Sequence, residues 1–141
     1  DEKTLYLSES INKNWDITSI IYAFDLDSKV GEISNKCAFV DFGKLDKTAG
    51  ADIDGMRFDT QENLNVACNG IGKVANISPA GKLLAYTDVA GIVDITNLEF
   101  GGKSGTDLYV GGTCKDNKKK GCVSVYTGKV AGRAFTDLQQ Y

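Results

Sequence analysis

A pair of short apolar segments recurs three times along the chain, and this repeat limits the folds that it can adopt. In each copy a strand-like segment, such as LYL at residues 5–7, is followed by a second apolar segment and then by a glycine. The leucines that open the three copies, Leu5, Leu64 and Leu108, lie 59 and 44 residues apart. A period of about 40–50 residues, with about four strands in each repeat, is typical of the blades of a β-propeller.

Short runs of β-branched and aromatic residues account for most of the remaining sequence. No long stripe of apolar residues follows the 3.6-residue period of a helix. The chain contains 16 glycines and one proline, which favours many tight turns. The sequence therefore predicts an all-β protein with ten short strands. These strands are predicted at residues 4–8, 20–25, 38–42, 56–59, 63–68, 73–78, 83–87, 98–100, 107–111 and 122–127.

The repeat divides the chain into three blade-like sheets of four antiparallel strands each, within one domain at residues 1–141. The predicted blades cover approximately residues 1–50, 51–95 and 96–141. The longer first interval holds an insertion at residues 10–19, where Trp15 either anchors the loop or contacts a substrate. Because a propeller needs about four blades to close, three blades leave open faces and strand edges. We expect these surfaces to be covered by further blades or by other copies of the chain.

The composition excludes several classes of function. The chain contains no histidine, which removes histidine-based catalytic triads and most zinc sites. Its formal net charge is −3, and its one basic cluster, Lys118–Lys120, reads as a solvated hairpin tip without interleaved aromatic residues. We therefore predict no nucleic-acid partner. No apolar run approaches the roughly 18 residues that a membrane span requires, so we predict no span.

Four cysteines raise the question of disulfide bonds, since their spacing matches no CxxC pattern. Cys114 and Cys122 flank a polar, turn-forming stretch between two strand-like runs, and we predict that they pair across a hairpin. Cys37 and Cys68 either form a second pair or remain buried free thiols. A disulfide indicates an oxidising compartment, so we expect a secreted, extracellular or periplasmic protein. Asn76 begins a glycosylation sequon, but the following Pro79 and a predicted strand position both weaken that assignment.

Several segments resemble the senescence-marker-protein (regucalcin)/gluconolactonase family. The stretch IDGMRFD at residues 53–59, followed by ENLNVA at 62–67, is similar to one hallmark of that family. The stretch LEFGG at residues 98–102, before LYV at 108–110, is similar to a second hallmark. The turn at residues 77–82 and the first strand also match the family in order and spacing. The likeness covers residues 1 to about 133, and it implies the C-terminal half of a six-bladed propeller.

The resemblance also implies a metal site. Family members bind one divalent metal ion, often Ca²⁺, on the channel axis through a glutamate, an asparagine and the aspartate of the DGM segment. Asp54 matches that aspartate, whereas the other two ligands would lie upstream of residue 1. The competing interpretation is that Asp54 caps a turn before Gly55. We expect metal ligation only in a complete ring, and we identify no catalytic residue in this chain.

Two functions follow from these expectations. The first is a metal-dependent lactone hydrolase of which this chain is a fragment, inactive until the missing N-terminal half completes it. The second is an extracellular structural module that oligomerises or forms filaments through its open blade edges.

Overall fold

The computed structural model describes residues 3–13, 16–45 and 52–139. Strands dominate these residues, as the short β-branched and aromatic runs predict, and the all-β prediction is confirmed. Each of the ten predicted strands overlaps one of ten observed strands. These are β1 Thr4–Lys13, β2 Asp16–Asp27, β3 Glu32–Asp41, β4 Asp52–Phe58, β5 Leu64–Asn69, β6 Lys73–Ile77, β7 Leu83–Asp88, β8 Ile92–Gly101, β9 Asp107–Cys114 and β10 Gly121–Thr127.

Two short helices accompany the strands. Helix α1 covers Phe42–Leu45 and helix α2 covers Arg133–Leu138. At four and six residues, neither of these helices is long enough to cross a membrane, and the described ranges contain no other helix.

The chain divides into two compact units, Asp1–Asp52 and Ile53–Tyr141. The first unit contains a three-stranded antiparallel sheet in the order β1-β2-β3, followed by α1. The pairing of β1 with β2 runs from Thr4 opposite Asp25 to Lys13 opposite Asp16, so the insertion predicted at residues 10–19 extends this hairpin. Trp15 lies outside the described residues.

The second unit contains two antiparallel sheets, one in the order β4-β5-β6-β7 and one in the order β10-β9-β8. One apolar core joins them, because residues from both sheets bury their side chains together. The β5–β6 hairpin contributes Ala67 and Val74, and the third sheet contributes Ile95, Leu98 and Val110, all at most 2% exposed. Face-to-face packing of neighbouring sheets through alternate residues is the arrangement that period-2 strands allow.

The predicted count of four strands per blade holds only for the middle sheet. The first and third sheets have three strands each within the described residues. After β10 the chain does not return along the sheet edge. Instead Gly132 donates a backbone hydrogen bond to the Gly105 oxygen and also bridges to Asp59, and α2 follows. These contacts carry the chain away from the edge of β10, so no further strand forms there.

The sheet boundaries also differ from the predicted blade limits. The third sheet begins at Ile92, so the boundary that we assigned between residues 95 and 96 falls inside β8. The first half of β8 pairs irregularly with β9, because two register shifts lie between Ile92 and Asn97. The boundary assigned at residues 50–51 lies outside the described residues.

Candidate functional site

Asp54 lies within β4, at the edge of the middle sheet, and not in a turn. The turn-cap alternative for this residue is therefore wrong. Its carboxylate is half-buried, and Oδ2 accepts a hydrogen bond of 3.0 Å from Nδ2 of Asn69, the last residue of β5. Among the described residues, no donor is hydrogen-bonded to Oδ1 of Asp54. The side chain thus presents one anchored oxygen and one available oxygen.

Asn69 was not identified from the sequence. It directly precedes Gly70, whose φ of +82° opens the turn between β5 and β6. Antiparallel pairing of β4 and β5 places the beginning of one strand beside the end of the other. The signal that could have found Asn69 is its position at the end of the strand that follows the DGM segment.

Gly55 allows an unusually close approach of β8. A Cβ atom at this position would lie 2.1 Å from Oδ1 and 2.9 Å from Cα of Asn97. Asn97 follows one of the register shifts in β8, and its Oδ1 accepts a hydrogen bond of 2.9 Å from the Leu98 amide. The residue after Asp54 must therefore lack a side chain, because the backbone of a neighbouring strand occupies that space.

An ion pair lies two residues further along β4. Arg57 Nε donates to Glu99 Oε2 at 2.6 Å, and Arg57 Nη1 donates to the Met56 oxygen at 2.7 Å. The two charged side chains are 38% and 52% exposed, so solvent screens their attraction. We expect the pair to fix side-chain orientation more than to stabilise the fold. It borders a shallow cleft of about 200 Å³ that Asn97 and Tyr109 also line.

A wider cleft opens beside the turn that follows Asn69. It has a volume of about 420 Å³ and is lined mainly by the turns at residues 70–72 and 88–93, together with Lys115. Asp54 is not among its lining residues. The carboxylate and this cleft are therefore separate features of the second unit.

Cys114 and Cys122 form a disulfide across the β9–β10 hairpin, with their Cα atoms 5.1 Å apart. The second pairing considered, between Cys37 and Cys68, does not form, and both residues are free thiols. Cys68 is completely buried in β5, whereas Cys37 is exposed on β3. A thiol enclosed on every side cannot reach one that faces solvent.

Burial also raises the pKa of Cys68 to about 11, although a backbone hydrogen bond from Ala75 partly opposes that shift.

The glycosylation assignment at Asn76 is contradicted by its surroundings. Asn76 lies in β6, a central strand, and is half-buried. Its Nδ2, the atom that would carry a glycan, donates a hydrogen bond of 3.0 Å to Oδ1 of the buried Asn65. A glycan requires an exposed amide on a surface segment. Neighbouring strands on both sides of β6 exclude one here.

Comparison with known proteins agrees with the predicted fold and family. Residues 1–113 match the SMP-30/Gluconolactonase/LRE-like region. The chain belongs to this family. Regucalcin from Danio rerio is 34% identical over 111 residues, which are 78% of this chain and 34% of that protein. Regucalcin from Sus scrofa is 33% identical over 115 residues, covering 81% of this chain and 34% of that protein.

Two solved structures of the same type share the fold. A luciferin-regenerating enzyme superposes with a TM-score of 0.71 at 25% identity, covering 92% of this chain and 43% of that one. A calcium-binding regucalcin from Agrobacterium tumefaciens gives a TM-score of 0.71 at 19% identity, covering 93% and 44%. The solved structures that resemble this chain are β-propellers, which confirms the predicted fold class. The chain spans about a third of the length of the curated relatives it matches.

Proposed function

We propose that this chain supplies Asp54 as one carboxylate ligand to a divalent-metal centre in a gluconolactonase-like lactone hydrolase. The position of Asp54 carries the proposal. It occupies the DGM segment of the family, its Oδ2 is anchored by Asn69, and its Oδ1 accepts no hydrogen bond in the part of the chain that the structure describes. A carboxylate that is held in one orientation, and whose second oxygen accepts no hydrogen bond, is suited to binding a hard cation through that oxygen.

The donor chemistry fits such an ion. Hard divalent cations prefer carboxylate, amide and water oxygens, and Oδ1 of Asp54 is a donor of the carboxylate type. Asp54 would bind the ion directly, while Asn69 would act as a positioning residue for the carboxylate. A bound divalent ion, Ca²⁺ by analogy with the family, would polarise a lactone carbonyl and lower the pKa of a bound water.

The chain alone is incomplete for this function. Among the described residues, Asp54 belongs to no cluster of three or more histidine, cysteine or acidic ligands. Because Ca²⁺ takes about six to eight oxygen ligands, one carboxylate cannot hold it in a catalytic geometry. In the proposed enzyme the remaining protein ligands would come from N-terminal blades of the propeller.

A chimera tests this proposal. The 141 residues would replace the matching segment of a regucalcin relative, and hydrolysis of glucono-δ-lactone and Ca²⁺ binding would be measured. We expect Asp54→Asn to abolish turnover and to weaken Ca²⁺ binding more than tenfold. The matched control is Asp88→Asn, since that carboxylate is 83% exposed and only pairs with Lys73 on the surface. A folded chimera that retains turnover with Asp54→Asn would contradict the proposed ligand.

The isolated chain provides the complementary test. We expect it to show no lactone hydrolysis and little or no Ca²⁺ binding. Turnover by the isolated chain that Asp54→Ala removes would show that the chain is complete by itself.

A second candidate function is self-assembly, and exposed apolar sheet faces favour it. On the third sheet Tyr109 lies opposite Val125. Tyr109 is 39% exposed, Val125 is 51% exposed and Val123 is 68% exposed. On the first sheet Leu5 and Leu7, which pair with β2, are 39% and 51% exposed. Faces of this kind are covered by the next blade in a propeller. Here they would pack on N-terminal blades or on other copies of the chain, closing a ring or extending into a filament.

Sedimentation of the purified chain at micromolar concentration tests the assembly. We expect species larger than the 15.1 kDa monomer, and we expect Val125→Lys to dissociate them. Val30→Lys is the matched control, because Val30 is 67% exposed but lies in the turn between β2 and β3. A monodisperse monomer would contradict this second function.

The disulfide supports one further part of the proposal, an oxidising location outside the cytoplasm. Thiol trapping in the native source would measure the oxidised fraction of Cys114 and Cys122. A fully reduced pair in freshly trapped material would contradict an extracellular or periplasmic location.

A further inference from the structure

The β9–β10 hairpin gathers three metal-ligand side chains at one end of the third sheet. One ligand atom each from Cys114, Asp116 and Cys122 lies within 4.8 Å of the other two. We propose that the reduced hairpin binds a thiophilic divalent ion such as Zn²⁺ through both thiolates and the Asp116 carboxylate. All three residues follow residue 113, the last residue of the segment that matches the SMP-30/Gluconolactonase/LRE-like region, and Asp54 does not belong to this cluster.

The hairpin holds the two cysteines together even without the disulfide. The Cys114 amide donates to the Lys120 oxygen at 3.0 Å, and the Lys120 amide donates to the Asn117 oxygen at 2.9 Å. The ladder continues with Thr113 opposite Gly121. These backbone contacts do not involve sulfur. Reduction therefore leaves both thiols near their present positions.

The spacing of the cysteines suits tetrahedral zinc. Two sulfurs bound at about 2.3 Å to one tetrahedral ion lie about 3.8 Å apart. The Cα atoms of Cys114 and Cys122 are 5.1 Å apart, so rotation of the two side chains can reach that separation. Asp116 would provide a third donor and water the fourth. Soft thiolate donors select Zn²⁺ over Ca²⁺ and Mg²⁺.

The burial of the three donors leaves an approach from solvent. Cys114 is buried, Cys122 is half-buried and Asp116 is exposed. The lysines at positions 115 and 118–120, which lie in the same hairpin turn, are exposed. Their repulsion of a cation is opposed by the donors themselves, because two thiolates and one carboxylate carry three negative charges against the two positive charges of the ion.

Metal binding at this site requires a reductant that first opens the Cys114–Cys122 disulfide. A phosphine reductant supplies two electrons and is oxidised to its phosphine oxide with the oxygen of one water; the S–S bond breaks, and the two protons of that water complete the two thiols. Zn²⁺ then displaces both thiol protons to the buffer as the two Zn–S bonds form. The hairpin would thus be cross-linked by sulfur under oxidising conditions and by metal under reducing ones.

Titration of the whole chain with Co²⁺ and Zn²⁺ tests this site, with the phosphine-reduced and oxidised chains compared. We expect the reduced chain to bind one ion with a thiolate-to-Co²⁺ charge-transfer band and to release about two protons per Zn²⁺. The oxidised chain should bind at least a hundredfold more weakly, because its sulfurs are not available as thiolates.

Three variants assign the ligands. We expect Cys122→Ser to lose about half of the charge-transfer intensity and Asp116→Asn to weaken Zn²⁺ binding about tenfold. Cys37→Ser, which removes an exposed thiol outside the hairpin, should change nothing. Because Asp116 is exposed, its variant remains informative even where Cys122→Ser fails to fold. Equal binding by the oxidised and reduced chains, loss of binding in Cys37→Ser, or unchanged binding in Asp116→Asn would overturn the proposal.

Discussion

Gly55→Ala is the substitution whose effect the structure defines most sharply. The added methyl carbon would lie 2.1 Å from Oδ1, 2.8 Å from Cγ and 2.9 Å from Cα of Asn97. Ordinary carbon contacts lie at about 3.5–4.0 Å. The φ of Gly55 is not positive, so no backbone strain is added and the cost is purely steric. The side chain of Asn97 must rotate away, and the backbone of β8 must also retreat.

Two costs then add. Rotation of Asn97 breaks the hydrogen bond from the Leu98 amide to Oδ1, which is worth about 1 kcal/mol. Forcing a methyl group into a filled site costs roughly 1–3 kcal/mol more. We therefore expect Gly55→Ala to reduce the free energy of unfolding by about 2–4 kcal/mol. For a unit of this size, that loss lowers Tm by on the order of 10–25 °C.

Urea unfolding followed by circular dichroism would measure the loss, and a double-mutant cycle with Asn97→Ala would assign it. Asn97→Ala removes the two closest atoms, so the double variant should recover about 1–2 kcal/mol relative to the sum of the single effects. Gly111→Ala is the matched control, because its new Cβ would meet only the Asn97 oxygen at 4.0 Å. A loss below about 0.5 kcal/mol for Gly55→Ala, or strict additivity with Asn97→Ala, would refute the reasoning.

Three further predictions concern the cysteines. A thiol reagent should label Cys37 in the native chain and reach Cys68 only on unfolding, as mass mapping would show; native labelling of both would contradict the burial of β5. Because folding raises the pKa of Cys68 from 9.0 to about 11, the folded state holds this proton more tightly than the unfolded state. Its stabilising contribution is therefore complete below pH 9 and declines by roughly 2–3 kcal/mol as pH rises towards 11. Denaturant unfolding between pH 8 and 10.5 should show a smaller decline for Cys68→Ala, and identical profiles would dismiss the effect. Removing the Cys114–Cys122 bridge with a double alanine variant should lower stability by about 2–3 kcal/mol, from the loop-closure entropy of a bridge spanning eight positions; an unchanged unfolding midpoint would show that the hairpin contacts alone are sufficient.

The sequence alone determined the features that depend on neighbouring residues. Short runs of β-branched and aromatic residues, separated by turn-forming residues, mark strands in the local sequence, so the ten strands of the described residues could be located from it. The repeat of paired segments led to the propeller, and the DGM segment led to Asp54 and the family. The cysteines of the β9–β10 hairpin could be assigned because a short turn brings its two flanking residues together without help from the rest of the fold.

Only the tertiary structure decided features that depend on which strands become neighbours. Asn69 donates a hydrogen bond to Asp54 because β5 lies beside β4. Asn97 lies against Gly55 at a point where β8 has a register shift. Neither contact leaves a pattern in the local sequence. The strand count of the third sheet likewise depends on where the chain turns after β10, and Asn76 is enclosed by its position in a central strand. A local run of β-branched and aromatic residues indicates that a residue is in a strand, but hydrogen bonding between distant segments decides what that residue touches.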